Sequence, residues 1–359
     1  MRAADPTYPN VEVEVVVKPW QGRIESLVTS VVGGTAPDVV YLSPDYIPQF
    51  LEPENLLLPL DDLRDDWKEF APVVLDSLRG LDDGSLYGAP AGVPIMMPYC
   101  NSAVLESAGV DCPKTWDDMR EAAPKIKEAG YYLTEYIGGT SSSLNGSFYQ
   151  YLYQAGGEIL SDDMTEAAFN GPEGREALSF VKEMVDNGWV PEAPLTVAEP
   201  REQSAVGQGE VAYQLGESLI NLRELLDPAD LHLAEPLTNE EASVWGTVGA
   251  WSIFNTTQNP DAAKAWVRFM GDTTFLKDFL ASNGYQSPRA DIEAGALFPD
   301  DPQMAKGAEY VKHLRTELQH PKAREIINIL IPHLQRALLE GADPQEVLDT
   351  AADEVNAIL

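Results

Sequence analysis

No stretch of about 18 apolar residues occurs in the chain, so no segment has the length and hydrophobicity of a transmembrane helix. Basic residues are scarce: 24 Lys and Arg face 58 Asp and Glu, a formal charge of −34. A surface of that sign repels nucleic acid and disfavours a strongly anionic ligand wherever a local basic pocket does not override it. Such an acid surplus also suits a protein that must stay soluble in high salt. Histidine and cysteine are sparse too, at 4 and 2. Two thiols make no zinc site, and Cys100 and Cys112 can pair or remain thiols, with nothing in the sequence to fix the geometry of a bond. The opening Met1-Arg2-Ala3-Ala4-Asp5 lacks the apolar region of a secretion leader. That leaves an intracellular protein or a form from which a leader has been removed.

Catalytic signatures are missing as well. There is no Gly-x-Ser-x-Gly elbow, no P-loop, no HExxH and no EF-hand loop. Gly207-Gln208-Gly209-Glu210-Val211-Ala212 matches a dinucleotide fingerprint by letter, but the residues before it are too polar for the strand that fold requires. The adjacent aspartates (Asp61-Asp62, Asp65-Asp66, Asp82-Asp83, Asp117-Asp118, Asp162-Asp163 and Asp300-Asp301) fall in turns or helix starts and read as solvated surface. His313, His320 and His333 lie in a C-terminal helical region, and His232 stands alone. The expectation is no catalytic residue, no metal and no cofactor.

What is present is a folded chain. Its 359 residues are 44% hydrophobic, enough for two domains with their own cores. Val11 to Val17 reads as a strand, Gln21 to Val32 as a helix ended by Gly33-Gly34, and Pro37 to Leu42 as a short buried strand. Strand, helix and strand with short connections predict a βαβ unit and a parallel sheet. Asp82-Asp83-Gly84-Ser85 reads as a tight turn, and Thr115 with Asp118 as a capped helix start. Helices are predicted over Arg175 to Asn187 and from Pro260, and a pair joined at Gly341-Ala342-Asp343-Pro344 closes the chain. The alternation is that of an α/β protein.

Ligands of open α/β sheets sit beyond the carboxyl ends of strands, which draws attention to Ser43-Pro44-Asp45-Tyr46. Aromatics also gather beside loops. Trp20, Tyr41 and Tyr46 flank strand ends. Tyr131, Tyr132, Tyr136, Phe148, Tyr149, Tyr151 and Tyr153 surround the polar loop from Gly138 to Ser147, and Trp245 and Trp251 bracket a glycine-rich segment. Aromatic faces beside carboxylate or amide acceptors make a carbohydrate pocket, and the alternative for most of these rings is core. Position favours a ligand role for Tyr46, Tyr149 and Trp251.

The order of short motifs resembles the family 1 extracellular solute-binding proteins of ABC importers, which include the maltose-binding proteins. The resemblance runs through Tyr8-Pro9-Asn10-Val11, Gly34-Thr35-Ala36-Pro37-Asp38, Leu57-Leu58-Pro59-Leu60-Asp61 and Asp83-Gly84-Ser85-Leu86-Tyr87-Gly88. It continues through Asn101, Pro113-Lys114-Thr115-Trp116, Ala155-Gly156-Gly157, Phe169-Asn170-Gly171-Pro172, Gly207-Gln208-Gly209 and Asn259-Pro260-Asp261-Ala262-Ala263. It spans nearly the whole chain.

The resemblance implies a two-lobed α/β fold of the periplasmic-binding-protein type II, with hinge strands between lobes and ligand in a cleft. Residues 1–95 and 248–295 would form the N-lobe, 96–247 the C-lobe, and 296–359 C-terminal helices packed with the C-lobe. It implies hinge closure around a mono- or oligosaccharide, delivery to membrane permease subunits, an extracellular, periplasmic or surface-anchored location, and a monomer. A polyol or sugar phosphate is an alternative cargo. A secreted polysaccharide-acting enzyme and a sensor-docking protein are alternative roles.

Carried over by position, Asp45 matches a carboxylate that holds sugar hydroxyls, and Tyr46 replaces a basic neighbour. Tyr149 falls near a stacking tryptophan, and Gly249 and Trp251 match a cleft-lining segment. Ser218 stands where a tryptophan is common, with Glu217 as a substitute acceptor. With Trp20, Tyr41 and Ser43, these are the candidate ligand residues. The departures argue against maltose. The family also has a strand before Val11, so the resemblance implies that the first strand of the N-lobe is lacking and that apolar edge or face is exposed.

Overall fold

The structure, a computed structural model, describes residues 11–17, 23–63, 68–139, 144–197, 200–215 and 219–359. The chain forms two compact units, Met1–Val93 with Val248–Leu297, and Pro94–Thr247 with Phe298–Leu359. The strands in chain order are β1 (Val39–Leu42), β2 (Ala89–Gly92), β3 (Tyr99–Asn101), β4 (Tyr213–Gln214), β5 (Leu231–Leu233), β6 (Val244–Trp245), β7 (Gly249–Ile253) and β8 (Leu314–Arg315). No helix among the described residues is long and apolar enough to cross a membrane.

In the first unit the sheet order is β1-β7-β2. Both pairings are antiparallel, with Tyr41 opposite Trp251 and Ala89 also opposite Trp251. The parallel βαβ sheet expected from residues 11–42 does not form. β7 arrives from a distant part of the chain and takes the edge of β1, which a local reading cannot see. Val11–Val17 belongs to no strand. Val15, Val16 and Val17 are 68%, 65% and 90% exposed. β-Branched residues make a strand only where a partner edge satisfies their backbone.

Helix α1 (Arg23–Val32) buries Leu27 and Ser30 on one side and exposes Val28 and Val32 on the other. It ends as predicted at Gly33-Gly34, where Gly34 takes the left-handed φ of 66° that glycine adopts without strain. Leu27, Leu42, Ile47, Phe50, Ile253, Phe254 and Leu280 are among the residues that build the core of this unit, and Phe50 meets Phe254 edge to face at 5.4 Å.

The second unit is largely helical. Trp116–Glu128 starts at the predicted capping box, with the Asp118 amide donating to Thr115 Oγ1 at 3.0 Å and the Thr115 amide donating to Asp118 Oδ2 at 3.0 Å. Trp116 stacks on Phe180 at 4.3 Å and donates its indole N–H to Gln154 Oε1 at 2.8 Å. Phe180 comes from the helix Pro172–Asp186, which starts three residues before the predicted Arg175 because Pro172 suits a first turn. Ala323–Glu340 and Pro344–Asn356 pack on the same core, joined at Gly341, whose φ is 74°. Two small sheets, β4-β3-β5 and the parallel pair β6-β8, complete the unit. Cys100 and Cys112 are joined as a disulfide.

Candidate ligand-binding site

In the first unit β1 runs directly into the turn Ser43-Pro44-Asp45-Tyr46 and then into helix α2 (Ile47–Leu51). The Tyr46 amide donates to the Ser43 carbonyl at 3.0 Å, closing the turn. Ser43 Oγ donates to Asp45 Oδ1 at 2.6 Å, the length of a charge-assisted bond. Gln49 Nε2 donates to the Asp45 carbonyl at 2.9 Å. Asp45 is 2% exposed, and among the described residues it is the only acidic residue buried as a whole, while Glu135 and Glu317 each bury one carboxylate oxygen. In a chain with 58 Asp and Glu, that isolation is informative, because burying a carboxylate costs several kcal/mol unless its surroundings compensate.

Tyr41 and Trp251 come together through the β1–β7 register. Their rings meet edge to face at 5.1 Å, and Trp266 packs on Trp251 in the same manner at 4.9 Å. Gly249 lies under the phenol of Tyr41, and a Cβ at that position would overlap Tyr41 Oη and Cζ. Glycine is therefore required there by close approach. Arg23, which the sequence did not single out, donates from Nη2 to the Tyr41 carbonyl at 2.6 Å. Burial lowers its guanidinium pKa, opposed by the nearby Tyr46 and Tyr41 phenols. Tyr46 itself is 7% exposed, so little of its ring is presented.

The second unit corrects one expectation. Tyr149 lies inside Phe148–Gln154, where every residue is buried, and is itself 1% exposed. Its ring packs within the hydrophobic core of this unit. Burial pushes its phenol pKa well up, with Tyr153 adding to the shift. Tyr136, Tyr151 and Tyr153 of the same aromatic group are also buried. Tyr151 meets Trp116 at 6.1 Å and Phe180 at 5.8 Å, and Tyr136 meets Tyr151 at 6.3 Å. Trp20, Glu217 and Ser218 lie outside the described residues.

Trp245, one of the aromatics noted beside loops, and Arg315, which the sequence did not single out, stand opposite each other in this unit. Trp245 on β6 is half-buried, and Gly146 packs against its six-membered ring, where a Cβ would stand 3.1 Å from Cε3. Beside it in the β6–β8 register, Arg315 lies over the Tyr153 ring at 4.8 Å and pairs with Glu158 at 2.9 Å and Glu241 at 3.3 Å. Arg315 also lines an open depression of about 410 Å³ together with Glu241, Ala242, Lys312, His313 and Leu314. Burial lowers the His313 pKa, and Lys312 lowers it further. No group of three metal-ligating side chains occurs among the described residues.

A sequence profile of the bacterial extracellular solute-binding proteins matches residues 3–300. The chain belongs to that family. This solute-binding protein is 23% identical over 318 residues to the arabinooligosaccharide-binding protein of Halalkalibacterium halodurans, covering 82% of this chain and 68% of the relative. In fold it is similar to an ABC transporter solute-binding protein of Thermotoga lettingae solved with α-D-tagatose, with a TM-score of 0.83, 23% identity and coverage of 96% and 91%. It is also similar to the GacH receptor of Streptomyces glaucescens, solved unliganded and with acarbose, with a TM-score of 0.85, 20% identity and coverage of 99% and 92%. The solute-binding protein thus has the two-lobed α/β fold of these proteins.

Proposed function

We propose that the protein is the substrate-binding subunit of an ABC importer and that its cargo is a carbohydrate, a mono- or oligosaccharide. The observation that carries the cargo class is Asp45, a buried carboxylate held by hydrogen bonds in the turn that follows β1. A carboxylate accepts hydrogen bonds from two neighbouring hydroxyls at once, which suits a sugar. The relatives and structural neighbours named above support the same class, through an arabinooligosaccharide, tagatose and acarbose.

In this reading the unit Met1–Val93 with Val248–Leu297 is the N-lobe and the other unit is the C-lobe. Asp45 is the principal hydroxyl acceptor, with Tyr41, Ser43, Tyr46, Gly249 and Trp251 shaping its surroundings. Trp20, Glu217 and Ser218 remain candidate contacts. The partners are permease subunits of the importer, and the working form is a monomer outside the cytoplasm, periplasmic or anchored at the surface. The Cys100–Cys112 disulfide fits an oxidising compartment. No chemistry is performed on the cargo.

Intrinsic tryptophan fluorescence against arabinose oligosaccharides, tagatose, acarbose, maltose, polyols and sugar phosphates tests this reading. A saturable change with one saccharide class, and intact sugar recovered afterwards by chromatography, is the expected result. Recovery of cleaved sugar would make the protein an enzyme. Saturation by a polyol or sugar phosphate alone would replace the cargo class, and silence towards the whole panel would remove carbohydrate as the cargo.

A further inference from the structure

The turn after β1 contains a second polar side chain whose role differs from the one its position in sequence implies. Ser43 is 6% exposed and Asp45 2%, so both lie beneath the surface. The Ser43 hydroxyl donates to Asp45 Oδ1 at 2.6 Å, while the Ser43 carbonyl accepts from the Tyr46 amide at 3.0 Å. The same residue therefore holds the turn by its main chain and the carboxylate by its side chain. Gln49, one turn into α2, holds the Asp45 main-chain carbonyl at 2.9 Å. With its backbone and one carboxylate oxygen both held, Asp45 has little rotational freedom left about χ1 and χ2.

From this geometry we infer that Ser43 is a positioning residue: it fixes the orientation of the Asp45 carboxylate and does not itself contact the cargo. The inference rests on the reading of Asp45 as a cargo residue. A hydroxyl group has one proton, and here that proton is committed to Oδ1. Orienting an acceptor before the ligand arrives lowers the entropy that binding must offset, which is how a residue without ligand contact acts on affinity. A purely structural role for Ser43, closing the turn, would be served by its main chain alone and would survive loss of the hydroxyl.

The test uses the full chain and five variants: Ser43→Ala, Ser43→Thr, Asp45→Asn, Asp45→Ala and the Ser43→Ala/Asp45→Ala double variant. The first readout needs no ligand. In protein labelled with ¹³C at aspartate carboxyl carbons, the Asp45 resonance is assigned by its disappearance in Asp45→Asn. It is expected to move in Ser43→Ala, and to stay near its original position in Ser43→Thr, which keeps the hydroxyl. An Asp45 resonance unmoved in Ser43→Ala would overturn the inference.

The second readout is calorimetric titration with arabinotriose as the probe. Ser43→Ala is expected to weaken affinity about ten- to hundredfold at an unchanged melting temperature, the range of a lost hydrogen bond to a charged group. In the Asp45→Ala background, where no acceptor for the Ser43 hydroxyl remains, the same substitution should change affinity no further, because its effect passes through the carboxylate. A full Ser43→Ala penalty persisting in that background would show direct contact with the sugar and overturn the positioning role. Asp45→Asn without effect on arabinotriose affinity would instead remove Asp45 from the cargo site, and wild type silent to arabinotriose would exclude that probe as cargo. In both cases the carboxyl resonance still decides whether Ser43 holds the carboxylate.

Discussion

Asp45 and Gly249 show how two side chains of opposite character serve one region. Asp45 is kept buried by hydrogen bonds from the turn that carries it, and its substitution should be felt in affinity rather than in folding. Asp45→Asn keeps the shape and removes the charge, so the expected outcome is about a ten- to hundredfold loss of saccharide affinity with little change in melting temperature. Calorimetric titration beside thermal denaturation checks both halves. Gly249 acts through what it lacks: its missing Cβ admits the Tyr41 phenol. Gly249→Ala must displace that ring from its contact with Trp251, costing about 1–3 kcal/mol as overpacking. Urea denaturation of the variant measures this, and an unmoved midpoint would mean that the ring swings aside freely. The position of Asp45 after a strand was legible in the sequence, since a β-branched run followed by Ser-Pro-Asp-Tyr marks a strand end. The opposition of Tyr41 and Trp251 was not, because residues so far apart in the chain meet only through a register that no local pattern encodes.

Elements whose signals are local behaved as their residues predict. The helix Trp116–Glu128 begins at Thr115 because that side chain accepts the Asp118 amide while the Asp118 carboxylate accepts from the Lys114 and Thr115 amides. Thr115→Ala should cost about 1 kcal/mol of stability. Those bonds, the one from the Lys114 amide first, hold the Asp118 pKa below that of an ordinary aspartate. A carboxyl whose folded pKa is depressed stabilises fully above its unfolded pKa, about 4, and loses that contribution as pH falls through the folded value. Asp118→Asn should therefore flatten this part of the acid limb, and urea midpoints measured from pH 6 downward would show it. Val11–Val17 makes the contrasting case. Its alternating and then continuous valines carry every mark of a strand, yet the segment pairs with nothing among the described residues. Strand propensity is a preference for a pleated, half-buried setting, and without a neighbouring edge there is nothing to prefer. Tyr149 teaches the same lesson in reverse. An aromatic beside a polar loop has the signature of a ligand platform, and only packing reveals that the helix it lies on is buried all round.

Across the molecule the largest imbalance is one of charge. The formal charge is −34, and Asp45 is the only acidic residue buried as a whole among the described residues, so most of the surplus there lies where salt reaches it. Screening of this self-repulsion should raise the melting temperature steeply from low to molar KCl, and NaCl should act alike. A flat or falling curve would show that the acids are already balanced by their local partners. Reduction provides a second test at this scale. The Cys100–Cys112 disulfide joins residues 12 apart, and its loss should lower stability by about 2–3 kcal/mol, measured by denaturation with and without reductant. Composition and short-range pattern were enough to establish the sign of the surface, the lack of an apolar run as long as a transmembrane helix, the capped helices and the family, because each of these depends on residue counts or on neighbours within a few positions. Folding was needed to bring β7 between β1 and β2, to pair Cys100 with Cys112, to make Tyr149 core and to bury Asp45 in the grip of Ser43. Those outcomes depend on which distant segments share an edge and how much solvent remains, and neither quantity exists until the chain has folded.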